Sequence, residues 1–216
     1  MSYRLTLAET ESYLRKAAQA CGLAWGIAEE AGKAARWLAA FDLPGPELML
    51  AHLQRLDGED YRDSVPGCHA EPWSATKLLC PVISGAALAD RSAQLLDGKV
   101  FKLGKTAYPL LLAATVGQAA RCHKTVFTTR WAGVSVSCFE NGLSIEGNRE
   151  DLLLSEVDAV ECFQQALDSP QQLPSTLAYA IDPQCWQAID ALAFKTYAPA
   201  TAASRAGAGA GLTDND

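Results

Sequence analysis

The sequence predicts a single α+β domain: an N-terminal helical layer packed on an antiparallel sheet, closed by a C-terminal helix and an extended Gly-rich tail. Three observations predict it. Apolar residues recur at helical spacing through residues 1–56. After Lys124 the pattern changes to short, alternating, β-branched segments, which are typical of strands. A helix start signal then occurs at Asp182-Pro183. Segregation of helices from strands along the chain favours α+β over α/β.

Three helices are predicted in the N-terminal segment. Thr6 and Glu9 have the spacing of a capping box, which predicts that the first helix follows at Leu7 and ends before Gly22. The second helix is the most regular in the chain, and the third begins at the proline that follows a Pro-Gly break. The predicted helices are residues 7–20, 24–40 and 46–56, and together they form the helical layer, residues 1–56.

The residues of the second helix sort onto three faces at helical spacing. The apolar face is Ile27, Ala31, Ala34 and Leu38; the small-residue stripe is Ala28, Gly32, Ala35 and Ala39; the charged face is Glu29, Lys33 and Arg36. We expect the small-residue stripe to face another helix or the C-terminal tail, because short side chains allow backbones to approach closely. Glu29 and Lys33 have the favourable order for an i,i+4 ion pair.

The middle and C-terminal parts are assigned to one α+β core, residues 57–198. A polar, breaker-rich stretch predicts a long loop over residues 57–75. It is followed by a short strand or edge segment over Leu78–Ile83 and by helices over residues 84–96 and 108–122. The predicted strands are residues 125–131, 133–139, 143–146, 157–165 and 175–181. A helix capped by Asp182 then runs to about Tyr197 and leads into the tail, residues 199–216.

Composition narrows the range of functions. The net charge of −7 argues against non-specific nucleic-acid binding, which requires a basic face. We expect no membrane association and a cytoplasmic location, because no apolar run is long enough to span a bilayer. The seven cysteines lack paired spacing, so a disulfide or zinc framework is not expected. No dinucleotide fingerprint, P-loop, GxSxG or HExxH occurs, so no cofactor is supported and none is assigned.

Two segments resemble a known family. They are Ala17–Leu38, which contains Trp25-Gly26-Ile27-Ala28-Glu29-Glu30, and the tail from Thr196 to Asp214-Asn215-Asp216. Together they resemble an uncharacterised proteobacterial family, a domain of unknown function of about this length. The resemblance implies no particular chemistry.

The first candidate site is on the second helix. A glutamate beside an indole ring can have a raised pKa and act as an acid, while a second carboxylate remains a base. We therefore assign Glu29 and Glu30 as candidate catalytic residues, of which only one can serve a given site because adjacent helical residues diverge. Trp25 and Arg36 are candidate substrate-binding residues. The alternative is a solvated helix face with an ion pair and a core tryptophan.

The second candidate site is the tail. Glycines within it would let backbone amides approach a ligand, Arg205 could clamp an anion, and Asp214 and Asp216 could bind a ligand amine or a hard cation. We assign these three residues to substrate binding and assign no metal. The alternative is a solubilising tail, or a tail that packs on a neighbouring subunit.

A third motif, Cys68-His69-Ala70-Glu71-Pro72-Trp73, contains a thiol, an imidazole and a carboxylate that could ligate a metal or act as a nucleophile. Adjacent Cys and His side chains have poor geometry for pairing with each other, and the chain has only three histidines. Catalysis at this loop is therefore the weaker interpretation.

Two functions remain open from the sequence. The first is an enzyme that performs proton transfer or hydrolysis on a small polar metabolite, in a pocket between the second helix and the tail. The second is a non-catalytic subunit or scaffold whose acidic tail docks a partner or a symmetry mate, with homo-oligomer formation. The position of the tail relative to the second helix would separate them.

Overall fold

The chain is described from a computed structural model, which covers residues 3–140, 142–165 and 173–197. The fold class is α+β, with helices packed around antiparallel sheets. The helices are α1 (Leu7–Ala20), α2 (Trp25–Ala40), α3 (Gly45–Leu56), α4 (Pro81–Ala89), α5 (Ser92–Leu96), α6 (Pro109–His123), α7 (Arg149–Leu152) and α8 (Pro183–Phe194). The strands are β1 (Tyr3–Thr6), β2 (Phe101–Leu103), β3 (Thr106–Ala107), β4 (Phe127–Trp131), β5 (Val134–Cys138), β6 (Leu143–Glu146), β7 (Glu156–Val157), β8 (Val160–Gln164) and β9 (Ala178–Ile181).

The N-terminal helices begin and end where the local sequence requires. At the start of α1, the Thr6 side chain accepts a hydrogen bond from the Glu9 amide (3.2 Å), and the Glu9 carboxylate accepts one from the Thr6 amide (2.8 Å). The predicted capping box is therefore confirmed, and it satisfies amides that the helix itself leaves free. Gly22 lies in the connection between α1 and α2 and has a positive φ. A residue with a side chain would be strained in this conformation.

The small-residue stripe of α2 packs against α1, as predicted. Ala28, Gly32, Ala35 and Ala39 are all buried. A Cβ added at Gly32 would lie 2.6 Å from the backbone oxygen of Glu11, which is closer than atoms can approach. The absence of a side chain at Gly32 therefore sets how near α1 and α2 lie to each other.

Helix α6 is the central element and lies between the N-terminal helices and the main sheet. It is buried along almost its whole length, as expected of a helix that is apolar on all sides. A Cβ at Gly117 would lie 3.1 Å from the Trp37 ring on one side and 3.1 Å from the Cys138 sulfur on the other. The helical layer thus contacts the main sheet through α6, an intermediate helix that the predicted packing of layer on sheet did not include.

The main sheet has the strand order β2-β8-β4-β5-β6, with every pair antiparallel. Strands β4 and β5 are joined by Ala132 and Gly133, both of which have positive φ. That conformation matches the twist of a tight hairpin. Trp131 opposes Val134 at its end, and both are buried.

The first strand pairs with the last one. Tyr3 lies opposite Ile181 in the antiparallel pair of β1 and β9. Asp182 then caps α8 by accepting from the amides of Gln184 and Cys185, which confirms the predicted helix start. Helix α8 packs on α1, where Tyr13 and the Trp186 ring make an edge-on contact at 4.5 Å. The C-terminal helix α8 therefore packs with the N-terminal helices.

The middle of the chain differs most from the sequence prediction. Of the short strand or edge segment predicted over Leu78–Ile83, only an isolated bridge from Leu79 to Thr106 is present, and the strand is wrong because α4 begins at Pro81. The predicted helix over residues 84–96 is two helices, α4 and α5. Strands β1, β2 and β3 and helix α7 were not predicted. These strands are too short for alternation within them to be detected. Each pairs with a segment far away in the sequence.

No helix within the described residues is long and apolar enough to cross a membrane.

Candidate functional site

Lys33 and Arg36, two of the three residues on the charged face of α2, line an open groove of about 520 Å³ between α1, α2 and α6. We call it the helix groove. It is lined by both apolar and charged residues, which are Leu7, Glu11, Lys33, Arg36, Trp37, Ala40, Gln118, Arg121 and Cys122. Three of these residues are cations and one is a carboxylate, so the lining is positive on balance although the whole chain is acidic.

The close packing described above shapes this groove. Gly32 brings α1 to α2, so Glu11 and Arg36 face each other and form an ion pair of 2.8 Å. Gly117 lets α6 approach Trp37, which places Gln118 and Arg121, one and four residues later, at the opposite wall. Small residues thus set the width of the groove, and larger polar residues line it.

Glu30 ties α2 to α6 at the edge of the helix groove. One carboxylate oxygen accepts from the Lys33 ammonium (2.8 Å), and the other accepts from the Gln118 amide (3.2 Å). The hydrogen bond to Glu30 raises the pKa of Lys33, which keeps the ammonium charged. Lys33 therefore pairs with Glu30 at i,i+3, and the predicted i,i+4 pair with Glu29 is wrong.

Arg121 is the cation of the groove that has no ion-pair partner among the described residues. In residues 3–140, 142–165 and 173–197 no carboxylate lies within ion-pair distance of its guanidinium, and the side chain is exposed. Cys122 beside it is an exposed free thiol. An arginine with open hydrogen-bond donors that lines the same groove as a second arginine is suited to a carboxylate or phosphate.

The predicted residues on α2 divide into two groups. Arg36 lines the groove and Glu30 holds two groove residues in place, whereas Glu29 lies outside the lining and accepts a hydrogen bond of 3.0 Å from the Trp25 indole. Trp25 is 65% exposed at the first turn of α2, so it is not the core residue of the alternative interpretation. Glu11, Gln118 and Arg121 were missed, since they are brought to α2 only by tertiary packing.

The tail residues Arg205, Asp214 and Asp216 lie outside the described residues, and so does the rest of the tail. Their predicted role in substrate binding stays a prediction.

A second concave site, which we call the His52 cavity, lies between α3, the 3₁₀ turn Tyr61–Ser64 and the segment before α4. Its volume is about 290 Å³. It is smaller than the helix groove. The residues that line it are His52, Arg55, Leu56, Glu59, Asp60, Ser64, Lys77, Leu78 and Ala107.

His52 is the buried polar group of this cavity. It is 1% exposed, and its Nε2 lies 3.3 Å from the sulfur of Cys80, which is fully buried at the N-terminus of α4. Nδ1 is buried and has no hydrogen-bond partner in the part of the chain that the structure describes. The Tyr108 ring packs edge-on against the imidazole at 5.8 Å, which holds its orientation.

Burial keeps both members of this pair uncharged. Desolvation, together with the nearby Arg55 charge, lowers the pKa of His52 to about 3. Burial raises the pKa of Cys80 to about 11, against the opposing effect of the Ile83 and Val82 amides. The pair is therefore a thiol beside a neutral imidazole, and not a thiolate–imidazolium pair. It was missed because the two residues are distant in sequence.

The loop motif of residues 68–73 has a mainly structural arrangement. Trp73 is buried against Phe101, Cys68 is directed to the carbonyl of Pro66, and Glu71 pairs with Lys99 at 3.3 Å. His69 is exposed. Within the described residues, no group of three or more potential ligands has a metal-binding arrangement.

Comparison with known proteins gives a family match for the N-terminal part of the chain. Residues 5–71 match the model described as "Protein of unknown function (DUF3726)". The match confirms the resemblance to a domain of unknown function for the segment that contains Ala17–Leu38, and it covers α1, α2 and α3. It includes Glu11, Lys33 and Arg36 of the helix groove, whereas α6 and the tail lie beyond it. No curated protein and no solved structure matches the chain significantly.

Proposed function

We propose that the protein is a metabolic enzyme that binds a small anionic metabolite in the helix groove and acts on it by proton transfer or hydrolysis. The observation that carries this proposal is Arg121, a cation without a carboxylate partner in the described chain, which lines the same groove as Arg36 and Lys33. A carboxylate or phosphate on the metabolite would provide the missing counter-charge.

The proposed roles follow from the contacts. Arg121 and Arg36 bind the anionic group, and Leu7 and the Trp37 ring contact the remainder of the metabolite. Glu11, the carboxylate that lines the groove, is the proposed proton acceptor. Glu30 holds Lys33 and Gln118 in position. All seven cysteines are free, which is consistent with a reducing, cytoplasmic environment.

The binding step can be tested without knowledge of the substrate. Inorganic phosphate, pyrophosphate and succinate serve as probes, because a ligand that binds only the native state raises its melting temperature. We expect at least one probe to stabilise the protein, and Arg121→Gln to weaken that probe by about tenfold. Lys102→Gln removes an exposed cation outside the groove and is the matched control. Equal probe binding by wild type, Arg121→Gln and Arg36→Gln would refute the binding site.

The catalytic step needs a turnover assay on a substrate found by such screening. Glu11→Gln keeps the shape of the side chain but cannot accept a proton, so turnover should fall by about two orders of magnitude or more while binding persists. Glu29→Gln alters a carboxylate outside the groove and should retain full turnover. The reverse pattern would show that Glu29, and not Glu11, is the base.

A second candidate function is a subunit or scaffold that docks a partner or another copy of the chain. An exposed aromatic pair at the end of α8 favours it: Phe194 is 70% exposed, and Tyr197, at a ring distance of 5.8 Å, is also exposed. The tail follows directly. Deletion of residues 206–216 and, separately, Phe194→Ser should lower the oligomeric mass measured by light scattering. A mass that neither change affects would speak against docking between subunits.

A further inference from the structure

Gln118 brings a side-chain carbonyl oxygen to the helix groove. The other end of its amide is held in place, because Nε2 donates to Oε2 of Glu30 at 3.2 Å. Glu30 is ion-paired with Lys33, so its carboxylate is ionised and can only accept hydrogen bonds. The amide therefore cannot turn its own oxygen toward Glu30, which does not line the groove, and Oε1 of Gln118 is the end left to face the groove.

This carbonyl oxygen is free to accept a hydrogen bond from a ligand. Oε1 of Gln118 accepts no hydrogen bond from the described residues, and the atom is not buried. Its orientation is kept by both helices that flank it, since Glu30 is on α2 and Gln118 is on α6. The Lys33 ammonium binds the other oxygen of Glu30 at 2.8 Å and so keeps the carboxylate from rotating away. The groove thus contains an oriented acceptor without a donor.

Arg121 lies beside this acceptor and has the opposite need. Gln118 and Arg121 are three residues apart on α6, so they are neighbours on one helix face, and both line the groove. An arginine side chain can only donate, and Arg121 has no ion-pair partner among the described residues. A single small ligand that carries an anionic group and a nearby hydrogen-bond donor would satisfy both residues.

The charge of the groove distinguishes between the possible donors. Lys33, Arg36 and Arg121 contribute three positive charges, and Glu11 and Glu30 contribute two negative charges, which leaves +1 (3 − 2). This balance favours a ligand with a net negative charge. A hydroxyl donor leaves the charge of an acid unchanged, whereas an ammonium donor cancels it. A hydroxyl therefore fits the groove better than an amine does.

We propose that the ligand of the helix groove is a small hydroxy acid, in which a hydroxyl lies near a carboxylate or phosphate, and that Gln118 selects it. The inference rests on the function proposed above, because it uses the same anion site. Arg121 and Arg36 bind the acidic group, and the hydroxyl donates to Oε1 of Gln118. Glu30 is a positioning residue that keeps this oxygen toward the groove.

The two enantiomers of 2-hydroxyhexanoate are the probes, and hexanoate and norleucine are their matched controls. The compounds differ only in the group on the carbon beside the carboxylate, which is a hydroxyl, a hydrogen or an ammonium. In calorimetric titrations of the full chain, one enantiomer should bind about fivefold more tightly than hexanoate. Norleucine should bind no more tightly than hexanoate. Glycerol 3-phosphate and propyl phosphate make the same comparison for a phosphate, and they show which acidic group the groove prefers.

Two variants separate recognition of the hydroxyl from recognition of the acid. Gln118→Met keeps a side chain of similar length without the acceptor oxygen, so the fivefold preference should disappear while hexanoate still binds. Glu30→Gln allows either orientation of the Gln118 amide and should reduce the preference. The ratio of the two affinities is the measured quantity, because a merely structural role would weaken both ligands equally. Gln94→Met replaces an exposed glutamine on α5, outside the groove, and should keep the wild-type ratio.

Each failure has its own signature. Equal affinities within both pairs of acids would overturn selection of the hydroxyl and leave the anion site standing. Tighter binding of norleucine would replace the hydroxyl with an ammonium, and a preference that survives in Gln118→Met would remove Gln118 from the inference. Binding of succinate or phosphate without binding of any hydroxylated probe would overturn the inference alone. If no acid binds at all, the proposed function fails and this inference fails with it.

Discussion

The helix groove and the His52 cavity satisfy their polar groups in opposite ways. In the groove, charged side chains meet in pairs at the surface, where water screens them, and Arg121 remains open to a ligand. In the cavity, the His52 imidazole and the Cys80 thiol are buried and uncharged, and Nδ1 of the imidazole has no hydrogen-bond partner among the described residues. Ligand binding in the groove should thus depend on charge and salt concentration. The stability of the cavity should depend on the protonation of His52 and on packing.

The largest expected difference concerns acid. The unfolded chain protonates His52 near its ordinary pKa of 6.5, whereas the folded protein does so only near pH 3. Between these values the unfolded state binds the additional proton, so stability falls as the pH falls. For this one group the loss is about 2–3 kcal/mol between pH 6.5 and about pH 4.5. Urea unfolding at both pH values should show it.

His52→Phe removes this titration and keeps an aromatic ring, so its stability should fall less over the same pH interval. His69→Gln, which replaces an exposed histidine, should follow the wild type. Parallel pH curves for the wild type and His52→Phe would mean that His52 titrates normally, and the contrast between a buried cavity and an open groove would then fail.

A smaller but clear effect is expected at the packing that shapes the groove. Gly32→Ala places a Cβ 2.6 Å from the Glu11 carbonyl oxygen, which forces α1 away from α2. We expect a loss of about 1–3 kcal/mol in the free energy of unfolding.

Gly26→Ala is the control on the same helix, because a Cβ there meets nothing within 4 Å, and alanine favours a helix by up to about 1 kcal/mol. Thermal unfolding of both variants measures the difference. Equal stabilities would contradict the close approach of α1.

The smallest effect should be that of the ion pair across the groove. Glu11 and Arg36 are partly exposed, and such pairs contribute about 0.5 kcal/mol or less to stability. A double-mutant cycle with Glu11→Gln and Arg36→Gln should give a coupling energy of that size, which decreases further in high salt. A coupling well above 1 kcal/mol would show that the groove is as desolvated as the His52 cavity.

Local signals predicted the helical parts of the fold well. The capping box of Thr6 and Glu9, the small-residue stripe around Gly32 and the Asp182-Pro183 helix start all depend on residues within one or two helical turns. The strand predicted over Leu78–Ile83 was wrong because an apolar run that contains a proline fits both an edge strand and the first turn of a helix.

The candidate sites were predicted less completely than the fold. The charged face of α2 indicated Arg36, which lines the groove, but the groove is also lined by Glu11 from α1 and Arg121 from α6, which no spacing on α2 can reveal. His52 lies on the apolar face of α3 with Met49, Leu53 and Leu56, all of them buried. A histidine at such a position, and a cysteine just before a helix-starting proline, were signals that could have been considered together.

The pairing of β1 with β9 has a consequence for how the chain is made. Tyr3–Thr6 is synthesised before the strands of the main sheet, and its partner Ala178–Ile181 only after them. Contacts between such distant segments form late, since the intervening chain must first be closed into a loop. Until α8 has been made, the face of α1 that receives it stays uncovered, so the nascent protein exposes Tyr13.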